Sequence, residues 1–462
     1  MVISGRLQPM RTSQMSRLSK IWATPNASQR LAAAAGREYY RHMTCDSSEA
    51  AVSGREVWSF FTGAMGLDLG LEAVGLHPTL ANEMDSRFCE TIRANRPSLD
   101  LIEDDIANLT DRSLRLQRHF GNEVYLMVGG PPCQSFSSGG KRAALNDPRG
   151  NLIYEYFRLI SEVGPRYFVL ENVANITTSA LRHRPIAKRP GKKWSLKQYE
   201  GSLNRRIDGN EPLAEEEMSG SALKQIARDA RSLGYSIAFF VVDAADYGTP
   251  QHRLRFVMLG SKGHPPPVMP PASHGDGREG FTTVRDAIWC MQADPGPHSI
   301  YTDAVRHYFD LVPEGGNWRS LPTSLQKDAL GGSYNAGGGK TGFYRRLAWD
   351  RPAPTVIGRV NRKGSAFCHP AVSRPISVRE AAALQGFPPG WKISGAMSAQ
   401  YMQIGNTVPV RLGAAIGQAI LSHKETRSSM VEQPPDIEKM MATAVARLRA
   451  SARNRGTGKN AA

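Results

Sequence analysis

Residues 56–75 read EVWSFFTGAMGLDLGLEAVG. EVWSFF is an apolar, aromatic run of strand length, TGAMG has the composition of a turn, and the leucines at 67, 69 and 71 suit a short buried helix. A strand, a glycine turn and a helix make half of a nucleotide-binding unit. The alternation continues downstream. Strands are predicted near Pro78 to Met84, in EVYLMVGG (123–130), in RYFVLENV (166–173) and in the pair SIAFFVVDAADYG (236–248) and RLRFVMLGS (253–261). Helices are predicted in SRFCETIRANRP (86–97), NLIYEYFRLISEV (151–163) and GSALKQIARDARSLG (220–234). Strands alternating with helices read as an open, mainly parallel α/β sheet.

The pattern lapses between Thr177 and Met218, where RHRPIAKRPGKKWSLKQYEGSLNRRIDGNEP reads as a basic surface excursion that can touch phosphates. From about His264 to Arg345 the chain is rich in Pro and Gly, with short candidate strands and little helix, and predicts a second, smaller, irregular domain. Two helices are expected after it, SVREAAALQG (377–386) and RLGAAIGQAILSH (411–423), and one more in the polar tail, IEKMMATAVARLRASAR (437–453). The division expected is a basic leader (1–55, disordered), an α/β domain (56–263), a smaller irregular domain (264–398), a C-terminal helix (399–422) and a flexible tail (423–462). The leader is nearly free of acids, like a transit peptide, but has no clear amphipathic repeat.

A net charge of +16 in 462 residues points to a polyanionic partner. Five scattered cysteines, with no C-x-x-C pair, argue against a zinc site or a disulfide framework and for a reducing compartment. No apolar run approaches the roughly 20 residues a bilayer demands, so a soluble, cytoplasmic protein is expected.

One thiol stands out. Cys133 lies in VGGPPCQSFSSGG (128–140), with two prolines before it and a Ser/Gly stretch after it. A nucleophilic cysteine must be reachable and must ionise, from a free pKa of about 8.5. Rigid prolines and a mobile following segment serve that purpose, whereas a packed thiol suits an apolar run such as AIWC at Cys290. The neighbours decide the matter. The glycine turn after the first strand, Glu83 after the second, Asp105 after the third, PPCQ after the fourth and ENV (171–173) after the fifth all fall at strand carboxyl ends, where such a sheet binds ligands.

With QHRLR (251–255) and QIGNTVP (403–409), this order resembles the cytosine-C5 DNA methyltransferases, over about Glu56 to Ser422. The resemblance implies a Rossmann-like, S-adenosylmethionine-dependent fold in a bacterial monomer. It also implies double-stranded DNA as substrate, a restriction endonuclease acting on the same site as partner, and no metal. It gives the cofactor loop as Phe61, Gly63 and Gly66, with Met65 where many members carry another glycine. Glu83 takes the ribose hydroxyls, Asp105 the adenine amine, with Asp104 adjacent, and Ile106 lies beside the ring. Asn406 is on the cofactor side of the returning segment.

For the chemistry, the resemblance makes Cys133 the nucleophile that adds to cytosine C6, because C5 becomes reactive only as an enamine carbon. Glu171 faces N3 and Arg255 faces O2. Asn172 orients the loop holding Pro132, and Arg253 lies near the thiol or a phosphate. His252 is given no role. The target base must leave the duplex, and Gln134 to Gly150 is expected to close over it. Sequence readers are sought among Asn317, Arg319, Asn335, Lys340, Arg345 and Arg346. A transfer-RNA methyltransferase and a non-catalytic DNA-binding relative are the rival readings. The intact set of Cys133, Glu171, Arg255 and the cofactor acids counts against the second, and the long middle region against the first.

Overall fold

A computed structural model describes residues 54–115, 123–132, 152–182, 214–335, 342–424 and 435–457. Cys133, the segment 134–150, Lys340, most of the leader and the middle of the basic excursion lie outside the described residues. The first elements are β1 (Glu56–Phe60), α1 (Gly66–Glu72), β2 (Leu80–Glu83), α2 (Ser86–Asn95), β3 (Asp100–Glu103), α3 (Asp111–Arg115), β4 (Val124–Gly129), α4 (Leu152–Val163) and β5 (Tyr167–Val173). They are followed by α5 (Ser221–Ser232), β6 (Tyr235–Asp243) and β7 (Leu254–Lys262). The seven strands form one sheet in the order β3-β2-β1-β4-β5-β7-β6. β1 to β5 pair in parallel, and β7 runs antiparallel between β5 and β6.

Side chains that alternate along the strands feed two cores. Trp58, Phe60, Met127, Phe168, Leu170, Phe256 and Met258 point to one face, where α4 and α5 supply Ile153, Phe157, Leu223 and Ile226. Val57, Leu126, Val128, Val169 and Val257 point to the other, against Leu67 and Leu71 of α1. Burial on both faces explains why the strands read as nearly continuous apolar runs.

The middle region departs from expectation. Instead of short strands, the described residues hold α6 (Val284–Ile288), α7 (Asp303–Leu311) and α8 (Thr323–Leu330), with only isolated bridges such as Arg346–Cys368. Helices of eight or nine residues were hidden by the surrounding Pro and Gly. Tyr301, stacked on Phe309, and Tyr344 centre a small core there. A larger one joins Val284, Trp349, Phe367 and Leu384 to Ala64 of the β1–α1 loop and Leu69 of α1, so the two regions share packing.

α9 (Val378–Gln385), α10 (Met397–Asn406) and α11 (Val410–Leu421) follow. α11 returns to lie on α1, with Leu412, Ile416 and Ile420 in the same core as Leu67 and Leu71. The tail is a further correction. α12 (Ile437–Thr457) packs against the main core, with Ala444 2 % exposed, because its apolar positions form one stripe.

Candidate functional site

The loop from β1 to α1 is bent at three places. Phe61 (φ 55°), Gly63 (φ 58°) and Met65 (φ 68°) all lie in the left-handed region, which costs the two non-glycine residues. At Gly63 a side chain would meet nothing nearer than the Phe61 carbonyl at 3.9 Å, so the loop faces open space. Gly66 is needed for a different reason. A Cβ there would come within 2.2 Å of the Val408 carbonyl oxygen, so its place is in the packing of the returning segment.

Glu83, at the end of β2, pins this loop. Gly63 N–H donates to its Oε2 (2.9 Å), and the amides of Met84 (3.0 Å) and Asp85 (2.9 Å) donate to Oε1. Burial raises the Glu83 carboxyl above its ordinary range, against the pull of those amides. Met84 beside it is 61 % exposed, an apolar surface that the sequence reading passed over. Asp105 accepts from Ala107 N–H through Oδ1 (3.0 Å) and is half-buried, whereas Asp104 Oδ1 is engaged by Asp105 N–H and Asn108 Nδ2. Ile106 is buried in the main core and can offer a ring little more than an edge. Asn406 ends α10 and is exposed.

At the carboxyl ends of β4 and β5 a second cluster forms. Glu171 is 7 % exposed, with Oε1 2.8 Å from Arg255 Nε across the β5–β7 pairing. That contact lacks the angle of a hydrogen bond, and Oε1 has no other partner among the described residues. Burial raises the carboxyl pKa, which Arg255 and then Arg253 pull back only in part. A Cβ on Gly130 would sit 3.3 Å from Glu171 Oε2, so this carboxylate lies against the Gly130–Pro132 segment that leads to Cys133. Asn172 Nδ2 donates to the Pro131 carbonyl (3.3 Å), one residue before the expected Pro132.

The phosphate contact expected of Arg253 requires correction, while the thiol it was set beside lies outside the described residues. It is 2 % exposed, and its guanidinium donates to the carbonyls of Val356 (2.7 Å), Gly405 (2.7 Å) and Thr407 (3.0 Å), out of reach of a phosphate. It joins the start of β7 to the segment bearing Asn406. The alternation Q-x-R-x-R hid this, because two arginines at that spacing look alike until burial separates them. His252 packs its Nδ1 against Asp243 Oδ2 (3.0 Å) and its ring edge-on against Phe281. Asp243 is held below the usual range, since His252 and the amides of Arg253 and Ala245 outweigh burial. Arg346, proposed as a reader of bases, is buried on the carbonyls of Val312, Phe309 and His369.

A mainly parallel sheet with a strained, open glycine loop, acids after β2 and β3, and an Arg–Glu pair after β5 defines an α/β enzyme of the Rossmann-like methyltransferase class. Residues 56–186 and 213–422 match the model of the C-5 cytosine-specific DNA methylases, and the chain belongs to that family, whose members are DNA methyltransferases. It is similar to the type II methyltransferase M.PspPI of Psychrobacter sp. (strain TA137), 34 % identical over 78 % of this chain and 77 % of that one. M.Eco47II of Escherichia coli is 33 % identical (79 % and 78 %), and M.Sau96I of Staphylococcus aureus 32 % (79 % and 76 %). Among solved structures, a prophage-encoded E. coli protein assigned as a DNA modification methyltransferase superposes with a TM-score of 0.50 at 21 % identity, covering 79 % of this chain and 98 % of its own. That likeness shows the fold alone. Membership in a methyltransferase family implies the use of S-adenosylmethionine. Among the described residues no cluster of metal-binding side chains occurs, and no helix is long and apolar enough to cross a membrane.

Proposed function

We propose that this chain methylates C5 of a cytosine in a specific duplex DNA sequence, as the modification enzyme of a restriction-modification system. The observation that carries the reading is the buried Glu171, paired with the partly buried Arg255 and set against the Gly130–Pro132 segment, one residue before Cys133. The Cys133 thiolate adds to C6 of a flipped cytosine, and the displaced electron pair moves toward N3 and O2. Glu171, whose burial keeps it protonated to a higher pH than an ordinary glutamate, donates a hydrogen bond to N3, while Arg255 meets the charge at O2. C5 is thereby an enamine carbon. Once C5 has used that electron pair to bond the methyl carbon, loss of the C5 proton to a base and departure of the Cys133 thiolate from C6 restore the aromatic ring.

The methyl group comes from the sulfonium of S-adenosylmethionine. The residues present fit that molecule: an open loop at Gly63, carboxylates at Glu83 and Asp105, and the apolar Met84 between them in the chain. Asn406 is exposed on the segment that Arg253 fixes.

Mapping methylated cytosines at base resolution in DNA from cells expressing the chain tests activity and target together. A duplex carrying 5-fluorocytosine at that target is expected to trap the wild type covalently, because fluorine blocks the final elimination. Cys133→Ser is expected to form no adduct and no methylcytosine while still binding S-adenosylmethionine. Undiminished methylation by that variant would sink the mechanism.

A further inference from the structure

The family match ends at residue 422, yet the chain goes on to build α12 into the main core. Ile437, Met440, Met441, Ala444 and Leu448 recur at helical spacing and pack into the cluster that also takes in Val173 and Leu254. Val173 directly follows Glu171 and Asn172, and Leu254 directly precedes Arg255. The helix lies on β6 and on the turn Ala174–Thr178 at the end of β5. Gly220 makes room for it, since a Cβ there would fall 2.7 Å from Met441 Cε.

Polar ties fix its register. Lys224 pairs with Glu438 (2.5 Å), Arg231 donates to the Pro435 carbonyl, and Arg447 pairs with Asp246. Asp246 lies in the turn Ala244–Tyr247, between β6 and the Gln251–Arg255 run, and its carbonyl also accepts from the amides of Ser273 (2.9 Å) and His274 (3.0 Å). β5, which carries Glu171, therefore ends in a turn that α12 touches, and so does β6, whose Val242 pairs with Arg255 of β7.

We infer that α12 is a positioning element for the reaction: its apolar face braces the Ala174–Thr178 turn, Arg447 braces the Ala244–Tyr247 turn through Asp246, and together they set the Glu171–Arg255 separation. This rests on the function proposed above. Arg447 is 44 % exposed, and a pair of that kind contributes little to global stability. A large effect on turnover would therefore mark positioning. Misplacing a reacting group by about 1 Å can cost roughly 100-fold in rate.

The test uses the full chain with Arg447→Ala and Arg447→Lys. Turnover, KM for S-adenosylmethionine, the melting temperature and amide hydrogen exchange over 174–178 and 244–247 are measured. Arg447→Ala is expected to lower kcat about five- to twenty-fold, a part of the loss that full misplacement would bring. KM and the melting temperature should hold, exchange at 244–247 should quicken, and Arg447→Lys should recover most of the rate. Wild-type kcat with unchanged exchange would overturn the inference. So would a fall in melting temperature that accounts for the lost activity in both variants. If the wild type methylates no DNA, the functional reading fails, and the exchange rates still decide whether α12 braces the turns.

Discussion

Asp68 is a carboxylate with no exposed surface, in the first turn of α1, and neither oxygen has a hydrogen bond of normal geometry among the described residues. Burial pushes its pKa up to about 7, the Ser59 hydroxyl working against this and Glu72 with it. The folded state thus holds this proton more tightly than the unfolded chain does. Its contribution to stability is whole below about pH 4, drains away as pH rises towards 7, and changes no further above that. Asp68→Asn is therefore expected to be more stable than the wild type at neutral pH, by on the order of 1 to 3 kcal/mol. The gap in urea midpoint should be larger at pH 8 than at pH 5. Equal gaps at the two pH values would show that the carboxyl does not titrate as argued. Nothing in the sequence marks Asp68, because LDLGLE reads as a plain helical stripe. The places of Glu83 and Asp105 at consecutive strand ends were legible from the alternation, whereas the backbone amides that each carboxylate accepts from were not.

At the scale of elements, α1 and α11 approach so closely that their glycines interlock. A Cβ on Gly70 would fall 2.2 Å from the Val410 carbonyl oxygen and 2.4 Å from the Ala414 amide, and one on Gly413 would fall 2.6 Å from the Leu67 carbonyl. Glycine inside a helix ordinarily costs about 1 kcal/mol relative to alanine, so on propensity alone Gly70→Ala should stabilise. Here the opposite is expected. The methyl meets backbone that cannot give way, and overpacking of that kind costs roughly 1 to 3 kcal/mol or more. KM for S-adenosylmethionine should rise too, since α1 carries the loop bearing Gly63. A higher urea midpoint in Gly70→Ala would show that the helices are not in contact. The sequence predicted both helices and the return of α11, but the heights at which they meet depend on atoms more than three hundred residues apart.

Across the whole molecule, the chemical residues can serve any cytosine that reaches them, so target choice must come from elsewhere. Phosphate contacts position a duplex without specifying it, and the net charge of +16 supplies these in abundance. The middle region carries the remaining candidates for base contacts. With Arg346 buried, these are Arg319, exposed beside Trp318, the exposed Asn335, the half-buried Arg345, Asn317, whose side chain accepts from the Arg319 amide, and Lys340, which lies outside the described residues. Replacing residues 264–345 by the corresponding segment of a relative of known target is expected to move methylation to that relative's site. Mapped cytosines that stay where they were in an active chimera would place recognition outside the middle region. One constraint shapes the graft. Val284, inside the exchanged segment, shares a core with Trp349, Phe367, Leu384, Ala64 and Leu69, so the graft must keep an apolar side chain at position 284 and end before Trp349.

The sequence by itself determined the alternating sheet, the acids at its strand ends, the PPC, ENV and Q-x-R-x-R series and the family they belong to. Each of these is a local pattern: a two- or four-residue period, a turn, or a fixed spacing within one loop. Tertiary structure alone decided what depends on distant partners. It turned Arg253 into a clamp on the 405–407 segment, gave Gly66 and Gly70 to helix packing, buried Arg346, built helices into the proline-rich middle, and drew the tail into the core as α12. Burial and desolvation depend on what the rest of the chain brings to a residue, and no window of sequence around that residue contains them.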